Sequence, residues 1–221
     1  MKHELDDLTQ VLNSYVDEIS ERLMALPLEQ KETYACWLAQ TYFIVRHSTR
    51  FLTLAASNIP IENRNLHYNM IHHLKEELNH DLVAISDLKE LGYSPFDFAE
   101  LTPTSLLYQT QYFWLNYRPV TSLMGYALLL EGLASKYGPA ILARVSCHGK
   151  RSTAFLKLHC EVDKDHFQDG LKSLESVAPS DWPDIKKNVE QSGRLYLQLI
   201  QDIGRGVLFR PKNALENVPA A

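Results

Sequence analysis

His159, Asp163 and His166 stand at positions i, i+4 and i+7 of the segment FLKLHCEVDKDHFQDGL. An α-helix advances about 100° per residue, so the three side chains share a narrow arc of one face. Two imidazoles and a carboxylate on one face can bind a transition metal without help from a loop. Matching donors occur earlier, at Glu77 and His80 and then at Glu131. Together they make three imidazoles and three carboxylates, a set that suits a pair of irons. Mixed His/carboxylate sites with open positions suit iron that must meet O2, with manganese as the usual competitor. Cys160 is next to His159 in sequence but about 100° away around the helix, so a cysteine-ligated zinc is disfavoured.

Each piece has an ordinary reading beside the chemical one. The helix around residues 152–174 has a wet side, marked by Lys157, Glu161, Lys164, Asp165 and Gln168, but these lie mostly off the ligand arc. Phe155, Leu158 and Val162 flank the candidate ligands, and an unpaired carboxylate among apolar residues costs several kcal/mol. Glu131 sits in SLMGYALLLEGLASKYG, the most hydrophobic helix of the chain, with Ala127, Leu128 and Ala134 one turn away. A carboxylate there needs a cation or a strong donor; an Arg or Lys from another helix is the bland alternative. Glu77 and His80 form Glu-x-x-His, an i, i+3 spacing used in di-iron helical bundles. Their segment, HYNMIHHLKEELNHDL, also holds His73 and Glu76 on nearly the same face, and either can replace Glu77 as a ligand.

The elements that must position these residues read as helices almost throughout. Val11–Leu26 carries helical apolar spacing and ends before Pro27; Leu28–Ala56 is long and apolar. Pro60 can start the next helix, Ile61–Leu91, which Gly92 is placed to close. Thr104 can cap a helix running to Asn116. Val120–Ser135 is strongly apolar, and Gly138-Pro139 separates it from a short helix ending near Cys147. A helix over Ser152–Leu174 and another from Pro179–Trp182 to about Val207 complete the chain. No run alternates with period two for long enough to make a strand. The expectation is an all-α bundle of about seven or eight helices.

Composition sets outer bounds. The 221 residues are 45% hydrophobic and 22% charged, enough for one domain with a real core. Sparse Gly and Pro and the lack of a linker indicate one domain over residues 1–210, with 211–221 a flexible tail. The net charge of −5 and the lack of a basic stripe argue against nucleic acid as a partner. The charged start MKHELDDLTQ has no signal-peptide core, and Leu123–Leu130 is too short to span a bilayer. Cys36, Cys147 and Cys160 form no framework, which fits a reducing cytoplasm.

The segments HHLKEELNHDL, GYALLLEGLA and FLKLHCEVDKDH resemble the haem-oxygenase-like dimetal oxidases, also described as iron-containing redox enzymes. That family pairs a helix carrying Glu and His, a helix carrying one Glu and a helix carrying His-x-x-x-Asp-x-x-His. The resemblance spans roughly residues 60–175, in the same order. It implies a seven-helix haem-oxygenase-like bundle and favours a homodimer. It also implies a non-haem di-iron oxidase or oxygenase that activates O2 to oxidise a small amino-acid-, amine- or fatty-acid-like substrate. Some members add a carboxylate from an earlier helix; residues 41–51 hold no acid, and His47 is the metal-binding side chain there. Tyr108, Tyr112, Trp114, Tyr117 and Arg118 are candidates to line a substrate channel, with Arg118 holding a carboxylate. Other readings are a haem-binding oxygenase, a thiaminase-like protein using Cys147 or Cys160, a ferritin-like di-iron bundle, and an interaction protein whose metal only stabilises the helices.

Overall fold

The structure is a computed structural model that describes residues 2–174, 177–207 and 209–210. Residues 211–221, expected to form a tail, lie outside the described residues. Among the described residues nine α-helices follow one another: α1 (Lys2–Ala25), α2 (Lys31–Val45), α3 (Ser48–Asn58), α4 (Arg64–Glu76), α5 (His80–Glu90), α6 (Thr102–Tyr117), α7 (Leu123–Val145), α8 (Ala154–Leu174) and α9 (Trp182–Arg205). Among the described residues the only β pairing is an isolated bridge between Phe98 and Phe209. No described helix is long and apolar enough to cross a membrane.

Joining two broken rods leaves seven, against the seven or eight helices expected from the sequence. The apolar run 28–56 bends at Arg46–His47, which divides α2 from α3. The run 61–91 breaks at Glu77–Asn79, where Asn79 takes a left-handed conformation with φ 70°. Asn tolerates that region better than other residues with a Cβ, because its short side chain can satisfy the local backbone. Gly92, at φ 82°, then closes α5 as its position suggested.

Helix α7 packs against α8, α9 and α1 and forms the spine of the core. Its apolar character follows from burial on several sides. Gly125 allows near contact of backbones: a Cβ there would lie 2.4 Å from the Ile185 carbonyl oxygen on α9. Helix α9 turns Ile185, Val189, Tyr196, Leu199, Ile200 and Ile203 inward, each such burial stabilising by about 1.5–3 kcal/mol. The expected break at Gly138-Pro139 does not occur, because α7 runs through Pro139 to Val145. An internal proline costs about 3 kcal/mol. Burying Ile141 and Val145 beyond it offsets that cost. Thr104 does not cap α6; its hydroxyl donates to the Gln40 amide oxygen at 2.8 Å.

Helix α4 differs from the rest. None of its residues is fully buried, and its packing is mainly on α3. It nevertheless carries site residues at its C-terminal end, so the Asn79 turn governs where they point. Asn79→Gly is expected to leave stability unchanged or slightly raised, whereas Asn79→Val costs about 1–2 kcal/mol in chemical denaturation.

Candidate metal centre

Three stretches converge on one place in the bundle. The end of α4 and the turn after it bring His73 and Glu77; the first residue of α5 is His80. The middle of α7 brings Glu131, and α8 brings His159, Asp163 and His166. Their donor atoms sort into two triads. Glu77, His80 and His159 form one, and His73, Glu131 and His166 form the other, with all donors of a triad within 4.8 Å of one another. The rings of His80 and His159 lie 4.9 Å apart, and those of His73 and His166 4.5 Å. Glu77 Oε1 joins the triads: it lies 3.7 Å from His73 Nε2 and 3.5 Å from His80 Nδ1.

Hydrogen bonding fixes what several of these groups can do. His159 Nδ1 is 2.9 Å from the Phe155 carbonyl oxygen. A carbonyl only accepts, so Nδ1 carries the proton and the Nε2 lone pair is free to bind a metal. His80 Nδ1 and His166 Nδ1 are buried with no hydrogen-bond partner. Orphaned imidazole nitrogens beside buried carboxylates are a poor arrangement for a metal-free core and a good one for a cation. At the rim, Glu76 is 2.9 Å from His166 Nε2 and 3.1 Å from His72 Nδ1.

The cluster perturbs its own protonation. Burial pushes the Glu131 carboxyl up to about 7. Burial also pushes on Glu77, but the His73 and His80 imidazoles outweigh it and hold that carboxyl well below the usual range. Pairing with Asp163, 3.5 Å from Nδ1, lifts the His166 imidazole to about 9. Burial opposes protonation of His73, yet Glu77 and Glu131 raise it. Protons thus stand in for positive charge that the carboxylates require, and a divalent metal would replace them.

The centre opens onto an internal cavity of about 150 Å³. His73, Glu77, Glu131, His159 and Asp163 form its polar end; the rest of the wall is mainly apolar, including Trp37, Phe51, Leu130 and Phe155. Among the described residues, no lysine or arginine lines it. The Tyr126 hydroxyl, fully buried and without a partner, belongs to this wall.

Set against the sequence expectations, the structure brings Glu77, His80, Glu131, His159 and His166 together in the triads. Asp163, 4% exposed, stands beside His166 on the cavity wall, outside both triads. His73 and Glu77 are not alternatives, since each belongs to a different triad. The Glu-x-x-His pair does not sit on a continuous helix; the Asn79 turn lies between its members. His47 is not in the cluster: its Nδ1 bonds the Tyr112 hydroxyl at 2.8 Å and its ring stacks on Tyr108. Burial depresses its imidazole to about 4. Arg118 is the exposed C-cap of α6 and is not part of the cavity wall, nor are Tyr108, Tyr112, Trp114 and Tyr117. Sequence reasoning missed Asp87. The available signal was an acid seven residues after His80, on the face of α5 that also buries Ala84 and Leu88.

Residues 35–199 match the family of iron-containing redox enzymes, and the chain belongs to that family. It is similar to a solved domain of unknown function with a haem-oxygenase-like fold from Shewanella denitrificans, at 21% identity and a TM-score of 0.77, covering 91% of this chain and 92% of that one. It is also similar to a TenA homologue from Pseudomonas syringae pv. tomato, at 12% identity and a TM-score of 0.74, covering 90% and 93%. No curated protein matches. The fold is therefore an all-α haem-oxygenase-like bundle.

Glu131→Gln separates the charge from the shape. Without metal, the variant is expected to be more stable than the parent at neutral pH, on the order of 2 kcal/mol, because a disfavoured buried charge is gone. Added Fe(II) or Mn(II) should raise the melting temperature of the parent by more than that of the variant.

Proposed function

We propose that the protein is an O2-dependent non-haem iron oxidoreductase holding two irons, which oxidises a small molecule with an apolar body. The observation that carries this reading is the pair of adjacent imidazole/carboxylate triads beside one largely apolar cavity. Glu77, His80 and His159 would hold one ion, and His73, Glu131 and His166 the other, with Asp163 beside the second. Bound there, iron supplies O2 activation for oxidation of a C–H or N–H bond.

The chain's own residues supply the remainder. His159 presents Nε2 because Phe155 holds its Nδ1–H. Leu130, Phe155 and Leu156 keep bulk water from the polar end and orient an apolar substrate body. With no lysine or arginine among the described wall residues, a substrate's anionic group finds its counter-charge at the imidazole and metal end. Glu77, Glu131 and Asp163 bring three negative charges against four positive on two divalent ions, leaving room for one anionic group such as the carboxylate of an amino acid or fatty acid. The Tyr126 hydroxyl is the free donor available to it.

A metal-independent, thiaminase-like reading has less support, since none of Cys36, Cys147 and Cys160 lines the cavity. Cys36, Cys147 and Cys160 form no disulfide, which fits a reducing cytoplasm.

Anaerobic Fe(II) loading with iron counted per chain, followed by measured O2 uptake, tests the proposal. Two irons and O2 consumption are expected. His159→Ala or Asp163→Ala should lower the iron content to one or none with helicity intact. Unchanged stoichiometry in both variants would show that the ligands are misassigned. Bound iron without O2 uptake would reduce the metal to a structural role.

A further inference from the structure

We propose that Asp87 is a positioning residue for the Glu77/His80/His159 triad, acting through the backbone of Phe155; the inference rests on the metal reading above. Asp87 lies on α5 seven residues after His80, which returns it to nearly the same face, about 20° away. It is completely buried. Its Oδ2 accepts from the Phe155 amide at 2.8 Å, and the Ala154 amide also donates to the carboxylate. These are first-turn amides of α8, which have no partner within their own helix. A carboxylate there also meets the positive end of the helix dipole.

Phe155 is the residue that orients His159. Its carbonyl oxygen takes the Nδ1–H, and its ring lies 4.1 Å from the imidazole. Phe155 is therefore held at its N–H by Asp87 while it holds His159 at its C=O. Helices α5 and α8 each give one imidazole to the same triad, and this carboxylate ties them together just beyond the site. The second triad is differently supported. His166 lies about 10 Å further along α8. There α8 is fixed against α7 by close packing of Gly132 on Phe167 and of Gly170 on Leu128. Among the described residues, Asp87 bonds the amides that open α8 and not His73, Glu131 or His166. A plain helix cap would stabilise the fold without distinguishing the two triads; a positioning residue distinguishes them.

Anaerobic titration with Co(II), followed by its visible absorption, reads each triad alone. In a His166→Ala background, which leaves the Glu77/His80/His159 triad, Asp87→Ala is expected to weaken Co(II) binding about 10–100-fold. In a His80→Ala background, which leaves the other triad, the same change should act less than about twofold. Asp87→Asn keeps an acceptor oxygen but loses the charge, and should give a smaller fall, roughly three- to tenfold, in the first background only. If Asp87→Ala does not fold, Asp87→Asn decides alone. Equal weakening in both backgrounds, or none in either, overturns the positioning role. Failure of the parent protein to bind Co(II) overturns the metal reading itself, and this inference with it.

Discussion

Two carboxylates of the centre, Glu131 and Asp163, are buried and a third, Glu77, is half-buried beside them, in a bundle whose interior is mainly apolar. Burying an uncompensated charge costs several kcal/mol, and among the described residues no lysine or arginine side chain lines the cavity to offset it. The bundle instead surrounds the acids with imidazoles: the acids raise the proton affinity of His73 and His166, and ring nitrogens of the set can present lone pairs to a metal. Much of the local architecture follows from that requirement. The spine helix α7 carries one acid into the core, α8 carries a third plus two imidazoles on one arc, and the α4–α5 break swings the remaining donors inward.

Rigidity is distributed unevenly around the centre. Helices α7, α8 and α9 are locked by close backbone approach at Gly125 and by packing of Gly132 against Phe167. Helix α4, which carries His73 and leads into Glu77, has no fully buried residue. The ligands from α4 are thus held by the weakest element of the fold, and those from α8 by one of the strongest. Metal binding would add its own free energy where side-chain packing contributes least.

Much of this was legible in the sequence. The i, i+4, i+7 spacing on α8 survives folding because a continuous helix preserves angular relations. Glu131 was readable because an acid in the most apolar helix has few reasons to be there. The helical class followed from periodicity, and Gly92 closed its helix by ordinary backbone chemistry. What was hidden depended on tertiary placement. A turn at Asn79 separates Glu77 from His80, and only folding shows His73 and Glu77 serving different triads. Pro139 stays inside α7 because packing beyond it outweighs a local propensity. The apparent channel residues before Glu131 face other helices: Trp114 donates to Gln191, and Tyr112 packs on Phe51. Asp87 could not be assigned from sequence, since its partner amide lies 68 positions away.

The most direct test of the two-metal centre is anomalous diffraction at the iron edge from crystals grown anaerobically with Fe(II). The account predicts two peaks, one bounded by Glu77, His80 and His159 and the other by His73, Glu131 and His166. A lone peak outside these groups, or saturating iron with no peak among them, would contradict it.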